Sequence, residues 1–81
     1  MTYIYDGILE SHQAREIAED LNMTEEDAAK TWFSEVISEG CGTFGSLPTF
    51  HQFVDTIDDE WDLYFDYGAN YYFAVNDNYE E

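Results

Sequence analysis

Cations are almost absent from this chain. Arg15 and Lys30 are its only Lys or Arg residues, against nineteen Asp and Glu, and the formal net charge is −17. So few cations exclude a surface that grips phosphates, and the same charge repels nucleic acid and anionic membranes. Cysteine is as scarce: Cys41 stands alone, which excludes an internal disulfide framework and fits a reducing compartment. No apolar run approaches the roughly 18 residues that cross a bilayer. The opening Met1-Thr2-Tyr3-Ile4-Tyr5-Asp6 lacks the basic and long apolar regions of a secretory signal. The expected location is therefore the cytoplasm. There is no repeat and no low-complexity linker, and residues 1–81 are expected to form one domain.

What is present argues for a packed core. Hydrophobic residues make up 44% and aromatics 19%, too much for a disordered acidic tail. A compact domain of this length has a radius of gyration of about 12 Å, hence a diameter of roughly 30 Å. The net charge along that length is about one per 1.8 Å, against roughly one per 1.7 Å in duplex DNA. Self-repulsion on this scale costs stability. Simple solubility, or a halophilic surface, would give a similar composition.

Periodicity supplies the elements. Tyr3-Ile4-Tyr5 reads as a strand ended by Asp6-Gly7. Ser11 is the expected N-cap of a helix over 12–21 with an apolar face of Ala14, Ile17, Ala18 and Leu21. Asn22 suits the left-handed position that ends it. Thr24 caps a second helix, with Glu25, Glu26 and Asp27 where the dipole favours negative charge. Its apolar face is Ala29, Trp32, Phe33, Val36 and Ile37, and Gly40 ends it. Residues 40–54 contain no acid. Cys41-Gly42-Thr43-Phe44-Gly45 reads as a loop, and a third helix is expected from Ser46 or Pro48, because Leu47, Phe50, Phe53, Val54 and Ile57 keep a helical period. The period then falls to two: Trp61, Leu63 and Phe65 alternate with Asp62, Tyr64 and Asp66, the turn is Tyr67-Gly68-Ala69-Asn70, and Tyr71, Phe73 and Val75 follow. The expected order is β-α-α-α-β-β, an α+β domain with about three helices on one face of a small antiparallel sheet.

No catalytic or metal-binding motif is complete. An EF-hand opening at Asp58-Asp59-Glu60-Trp61-Asp62 has Leu63 where Gly is required and Ala69 where a bidentate Glu is required. A register starting at Asp20 fails at Glu25 and Thr31. Cys41 with His51 or His12 lacks any flanking catalytic motif, and surrounding acids oppose a thiolate. Two distant histidines and one cysteine give no zinc spacing, and no phosphate-binding loop is present. No cofactor and no metal are expected, and the chain is not expected to be an enzyme.

The segment Ala14-Arg15-Glu16-Ile17-Ala18, continuing through Leu21 and Thr24 to Ala28, resembles the helix-turn-helix pattern of bacterial DNA-binding domains over about a fifth of the chain. Asn22 stands where that family usually carries Gly. Its second helix opens on Glu25-Glu26-Asp27, where a DNA reader needs cations or amides, so a plain helical corner is expected.

Asp6 apart, the acids fall in two groups, residues 10–39 and 55–81. In the second, Tyr64, Tyr67, Tyr72 and Tyr79 interleave with carboxylates, which suits an interface to Arg and Lys. In size, charge and aromatic content the chain resembles the small acidic DNA-mimic inhibitors of bacteriophages and mobile elements, of anti-restriction, anti-CRISPR or glycosylase-inhibitor type. That resemblance implies a stoichiometric inhibitor, in the host cytoplasm, that fills the nucleic-acid groove of a defence enzyme. The leading partner-binding residues are then Asp58, Asp59, Glu60, Asp62, Tyr64 and Asp66, with Glu19, Asp20, Glu25, Glu26 and Asp27 as a second patch. The partner is a basic protein, with no direct contact to nucleic acid or membrane. A homodimer through Cys41 or the tyrosine-rich hairpin would lengthen the charged strip. The alternative is an acidic adaptor that binds a basic host protein without competing with nucleic acid, using a groove of Trp32, Phe33, Phe50 and Phe53.

Overall fold

The computed structural model describes residues 2–38 and 42–76. Along them run β1 (Thr2–Tyr5), β2 (Leu9–Glu10), α1 (Ser11–Leu21), α2 (Glu25–Ile37), β3 (Gly42–Gly45), β4 (Gln52–Thr56), β5 (Asp62–Asp66) and β6 (Tyr71–Asn76). Every pairing is antiparallel, in the order β3-β1-β6-β5-β4. β1 pairs with the end of β6 and β2 with its start, so the two are halves of one strand interrupted at residues 6–8. The fold is α+β: two helices cover one face of a small antiparallel sheet. Neither helix is long and apolar enough to cross a membrane.

The β5–β6 hairpin sets the two faces. Leu63, Ala74 and Tyr72 point to the helices and join Ala14, Ala29, Phe33, Trp61 and Leu9 in the core. Alanines at the contact let helices and sheet approach closely, while Phe33 and Leu63, both fully buried, fill the centre. Asp62, Tyr64 and Asp66 face the opposite, outer side, with Val75, Phe73 and Tyr71 across from them. Asp66 folds the turn itself: its Oδ1 accepts from the amides of Gly68 (2.9 Å) and Ala69 (3.0 Å), and Asn70 takes the left-handed conformation, φ 62°.

Four expectations need correction. The third helix does not form; its residues make a crossing loop and β4. Phe53 and Val54 share one side of a helix, but in β4 they lie to either side of the sheet. A bulge between Phe53 and Asp55 then lets Val54 and Ile57 pack against the core. Pairing with β5 outweighs the helical period. Second, Gly42–Gly45 is not a loop but the edge strand β3. A Cβ on Gly42 would sit 2.5 Å from the Ile4 carbonyl oxygen, so the glycine is what permits the close pairing with β1. The order is therefore β-β-α-α-β-β-β-β. Third, the N-cap of α1 is Glu10, with Gln13 Oε1 accepting from the Glu10 amide at 3.2 Å, and Ser11 is the first helical residue. Fourth, Leu21 is exposed. The strand at Tyr3-Ile4-Tyr5, its place beside the hairpin, and the caps at Asn22 and Thr24 are as expected. Gly40 and Cys41 lie outside the described residues.

The loop 46–51 joins opposite edges of the sheet, β3 to β4, four strand spacings or about 19 Å apart. Seven residue steps reach about 24 Å when extended. The loop is thus drawn nearly straight across the outer face. Pro48 lies near Tyr71 and Phe73, the His51 ring stands 5.8 Å from Tyr64, and Phe50 stands 5.9 Å from Tyr67. The loop thereby lies over the outer face where Phe73 is buried.

Candidate functional site

The helical corner gathers one of the two acidic patches. Asn22 turns the chain with φ 55°, and the Met23 amide reaches back to the Ala18 carbonyl at 3.0 Å. Thr24 Oγ1 then accepts from the Asp27 amide at 3.2 Å and starts α2. Glu19 and Asp20 in the last turn of α1 and Glu26 and Asp27 in the first turn of α2 therefore flank the same corner, all four exposed. The corner is the expected one.

Glu25 behaves differently. It is half-buried, its Oε1 accepts from Arg15 Nε at 3.1 Å, and its Oε2 accepts from the Tyr72 hydroxyl on β6. It therefore ties α1, α2 and the sheet together. Burial, followed by the hydrogen bond and charge of Glu25, pushes the Tyr72 hydroxyl well above the ordinary tyrosine value.

The other predicted patch is divided along β5. Asp58, Asp59 and Glu60 form the β4–β5 turn and are exposed. Asp58 Oδ1 accepts from the amides of Glu60 (2.8 Å) and Trp61 (2.9 Å), so this carboxylate shapes the turn that the others ride on. Asp62 opens β5 at the same end, with Tyr64 next along the outer face. Asp66 closes β5 about 13 Å away, is buried, and serves the β5–β6 turn. Of the interleaved tyrosines, Tyr72 is buried on the helix side, Tyr64 is half-buried on the outer face and Tyr67 is exposed; Tyr79 lies outside the described residues.

Both cations are already paired. Arg15 holds Glu25, and Lys30 Nζ meets Asp55 Oδ2 at 2.9 Å, which raises the Lys30 ammonium and lowers the Asp55 carboxyl from their usual ranges. Each pair joins an exposed partner to a half-buried one, and ion pairs this open to solvent contribute little to stability. Their consequence is electrostatic: neither cation interrupts the negative field.

The groove of Trp32, Phe33, Phe50 and Phe53 is not formed. Phe33 and Trp32 belong to the core side of α2, whereas Phe50 and Phe53 stand on the outer face, each more than half exposed. Sequence reasoning missed this exposed aromatic face. Its signal was the acid-free run 40–54, which a helical reading would have turned towards the core. A cavity of about 370 Å³ lies beside it, under the crossing loop, walled mainly by Ile4, Ile8, Pro48, Tyr71 and Phe73. Burial and the neighbouring Asp66 push the Tyr71 hydroxyl upward. Among the described residues no three His, Cys, Asp or Glu are placed to share a metal ion. No family model, curated protein or solved structure matches this chain.

Proposed function

We propose that this protein is a stoichiometric inhibitor of anti-restriction or anti-CRISPR type, which binds the basic nucleic-acid-binding surface of a host defence enzyme. The observation that carries the reading is the pairing of Arg15 and Lys30 with Glu25 and Asp55, inside a chain of nineteen acids. The surface carboxylates of the described residues are interrupted by no unpaired Lys or Arg. The molecule measures 37 × 26 × 17 Å, so the net charge averages about one per 2 Å of its long axis, close to the linear density of duplex DNA. Carboxylates stand in for phosphates, speed association and pair with the Lys and Arg that grip DNA. The protein acts by occupying the groove, without catalysis and without a cofactor.

The experiment is charge reversal on the captured target. Glu19, Asp20 and Glu26 changed together to Lys, and Asp59, Glu60 and Asp62 changed together to Lys, make two separate variants. Weakening of about a hundredfold or more by at least one variant, with an unchanged circular dichroism spectrum, supports mimicry. Unchanged affinity in both rejects it. A partner that binds as before and ignores DNA identifies the adaptor instead.

A further inference from the structure

We infer that the outer face of the β4–β5 end of the sheet is an arginine-reading surface, on which guanidinium groups of a basic partner stack. The inference rests on the proposed function for the partner's identity, and on the structure for the place. Phe50, Phe53 and Tyr67 are 57%, 55% and 51% exposed, an unusual outlay of ring surface for so small a domain. They are not isolated. Phe53 packs edge-on against Tyr64 at 5.6 Å, Tyr64 stacks on Phe73 at 5.7 Å, and Phe50 leans on Tyr67 at 5.9 Å. Each exposed ring is thus held by a neighbour and presents a fixed face.

Charge decides what covers these rings. Asp62 lies on the same face beside Tyr64 and its partner Phe53, and Asp58, Asp59 and Glu60 rim that end of the strip. Phe50 and Tyr67 stand at its other end, about 13 Å or more along β5. Arg15 lies on α1 and Lys30 on α2, against the opposite face of the sheet, and each is already paired there. A second copy of this chain would bring another −17 to the contact, and nucleic acid would bring phosphates; both are repelled. A cationic segment is attracted. Among cations, guanidinium is planar, weakly hydrated and stacks on rings while its edge still reaches a carboxylate, whereas ammonium stays hydrated. The surface therefore distinguishes Arg from Lys, which scattered carboxylates alone do not.

The test is an NMR titration of the full chain with hexa-arginine and, separately, hexa-lysine, at about 0.1 M salt so that long-range attraction is damped. Hexa-arginine is expected to bind about tenfold tighter, the fold-change of one or two exposed cation–π contacts. Its amide shifts should centre on residues 50–53 and 64–67. The triple variant Phe50→Ala, Phe53→Ala, Tyr67→Ala removes the three half-exposed rings and should bring hexa-arginine down to the affinity of hexa-lysine, with thermal melting reporting any loosening of the loop. The single variant Tyr67→Ala, outside that loop, should lower hexa-arginine affinity alone with an unchanged melt. Equal affinities, an unchanged triple variant, or shifts centred on the helical corner would overturn the inference. The two proposals fail separately. An arginine preference on this face with a target that DNA does not displace sinks mimicry alone. A DNA-displaced target that binds the triple variant undiminished sinks the arginine surface alone.

Discussion

The buried hydroxyl of Tyr72 on β6 donates a hydrogen bond to Glu25 in the first turn of α2, and the same carboxylate holds Arg15 of α1. One side chain thereby joins both helices to the sheet. Removing the donor in Tyr72→Phe should cost about 2 kcal/mol, as expected for a hydrogen bond to a charged group, and lower the melting midpoint by about 10 °C. The same bond has a pH signature. The folded hydroxyl is raised above the ordinary value near 10, so its contribution is complete below pH 10 and fades as the pH climbs through and beyond it. The stability gap between the native protein and Tyr72→Phe should therefore stay constant up to about pH 10 and shrink as the pH rises above it, measured by urea unfolding.

Self-repulsion among the acids outweighs the two exposed ion pairs. Raising salt from about 0.1 M to about 1 M shortens the screening length from about 10 Å to about 3 Å. Melting temperature should rise across that range, since repulsion is spread over the whole surface and only Arg15–Glu25 and Lys30–Asp55 are weakened. A fall would mean that the pairs matter more than the net charge.

Asp66 and Asn70 hold the β5–β6 turn and are expected to act on folding before binding. Asp66→Ala leaves the Gly68 and Ala69 amides without their acceptor and should lose about 2 kcal/mol in chemical denaturation. Asn70→Ala should lose about 1 kcal/mol from its left-handed conformation, and Asn70→Gly should change little. Asp59→Ala, in the exposed turn, should stay within about 0.5 kcal/mol of the native protein.

Gly42→Ala tests the β3 edge. The added methyl would meet the Ile4 carbonyl, so β3 must move away from β1 or the variant loses about 1–3 kcal/mol. Hydrogen exchange should quicken at residues 42–45 while the β5–β6 amides stay protected.

How legible the fold was follows from where information is local. The caps at Asn22 and Thr24, the helix faces apart from the exposed Leu21, and the alternation through Trp61, Leu63 and Phe65 depend on neighbours a few residues away, and these were readable. β3 was not, because Gly42 is needed for approach to Ile4, thirty-eight residues earlier, and glycine reads as a loop when its partner is unknown. The helical period through Phe50, Phe53 and Val54 arose from a loop and a bulge whose residues serve opposite faces. Of the residues named for the site, Glu19, Asp20, Glu26 and Asp27 flank one tight turn, a local placement that the caps at Asn22 and Thr24 made readable. Asp66 and Glu25 could not be recognised as structural, because their partners are turn amides in one case and Tyr72, far along the chain, in the other. The exposed aromatics were visible as residues and invisible as a surface.

The central claim is competition, and the most direct measurement is displacement of the captured target. The protein is immobilised, a bacterial lysate is passed over it, and the bound fraction is challenged with duplex DNA and, separately, with salt. If the account holds, one nuclease or DNA-binding complex is retained and duplex DNA releases it at salt concentrations that alone do not. A specific partner that stays bound under excess DNA would contradict it, as would the absence of any specific partner.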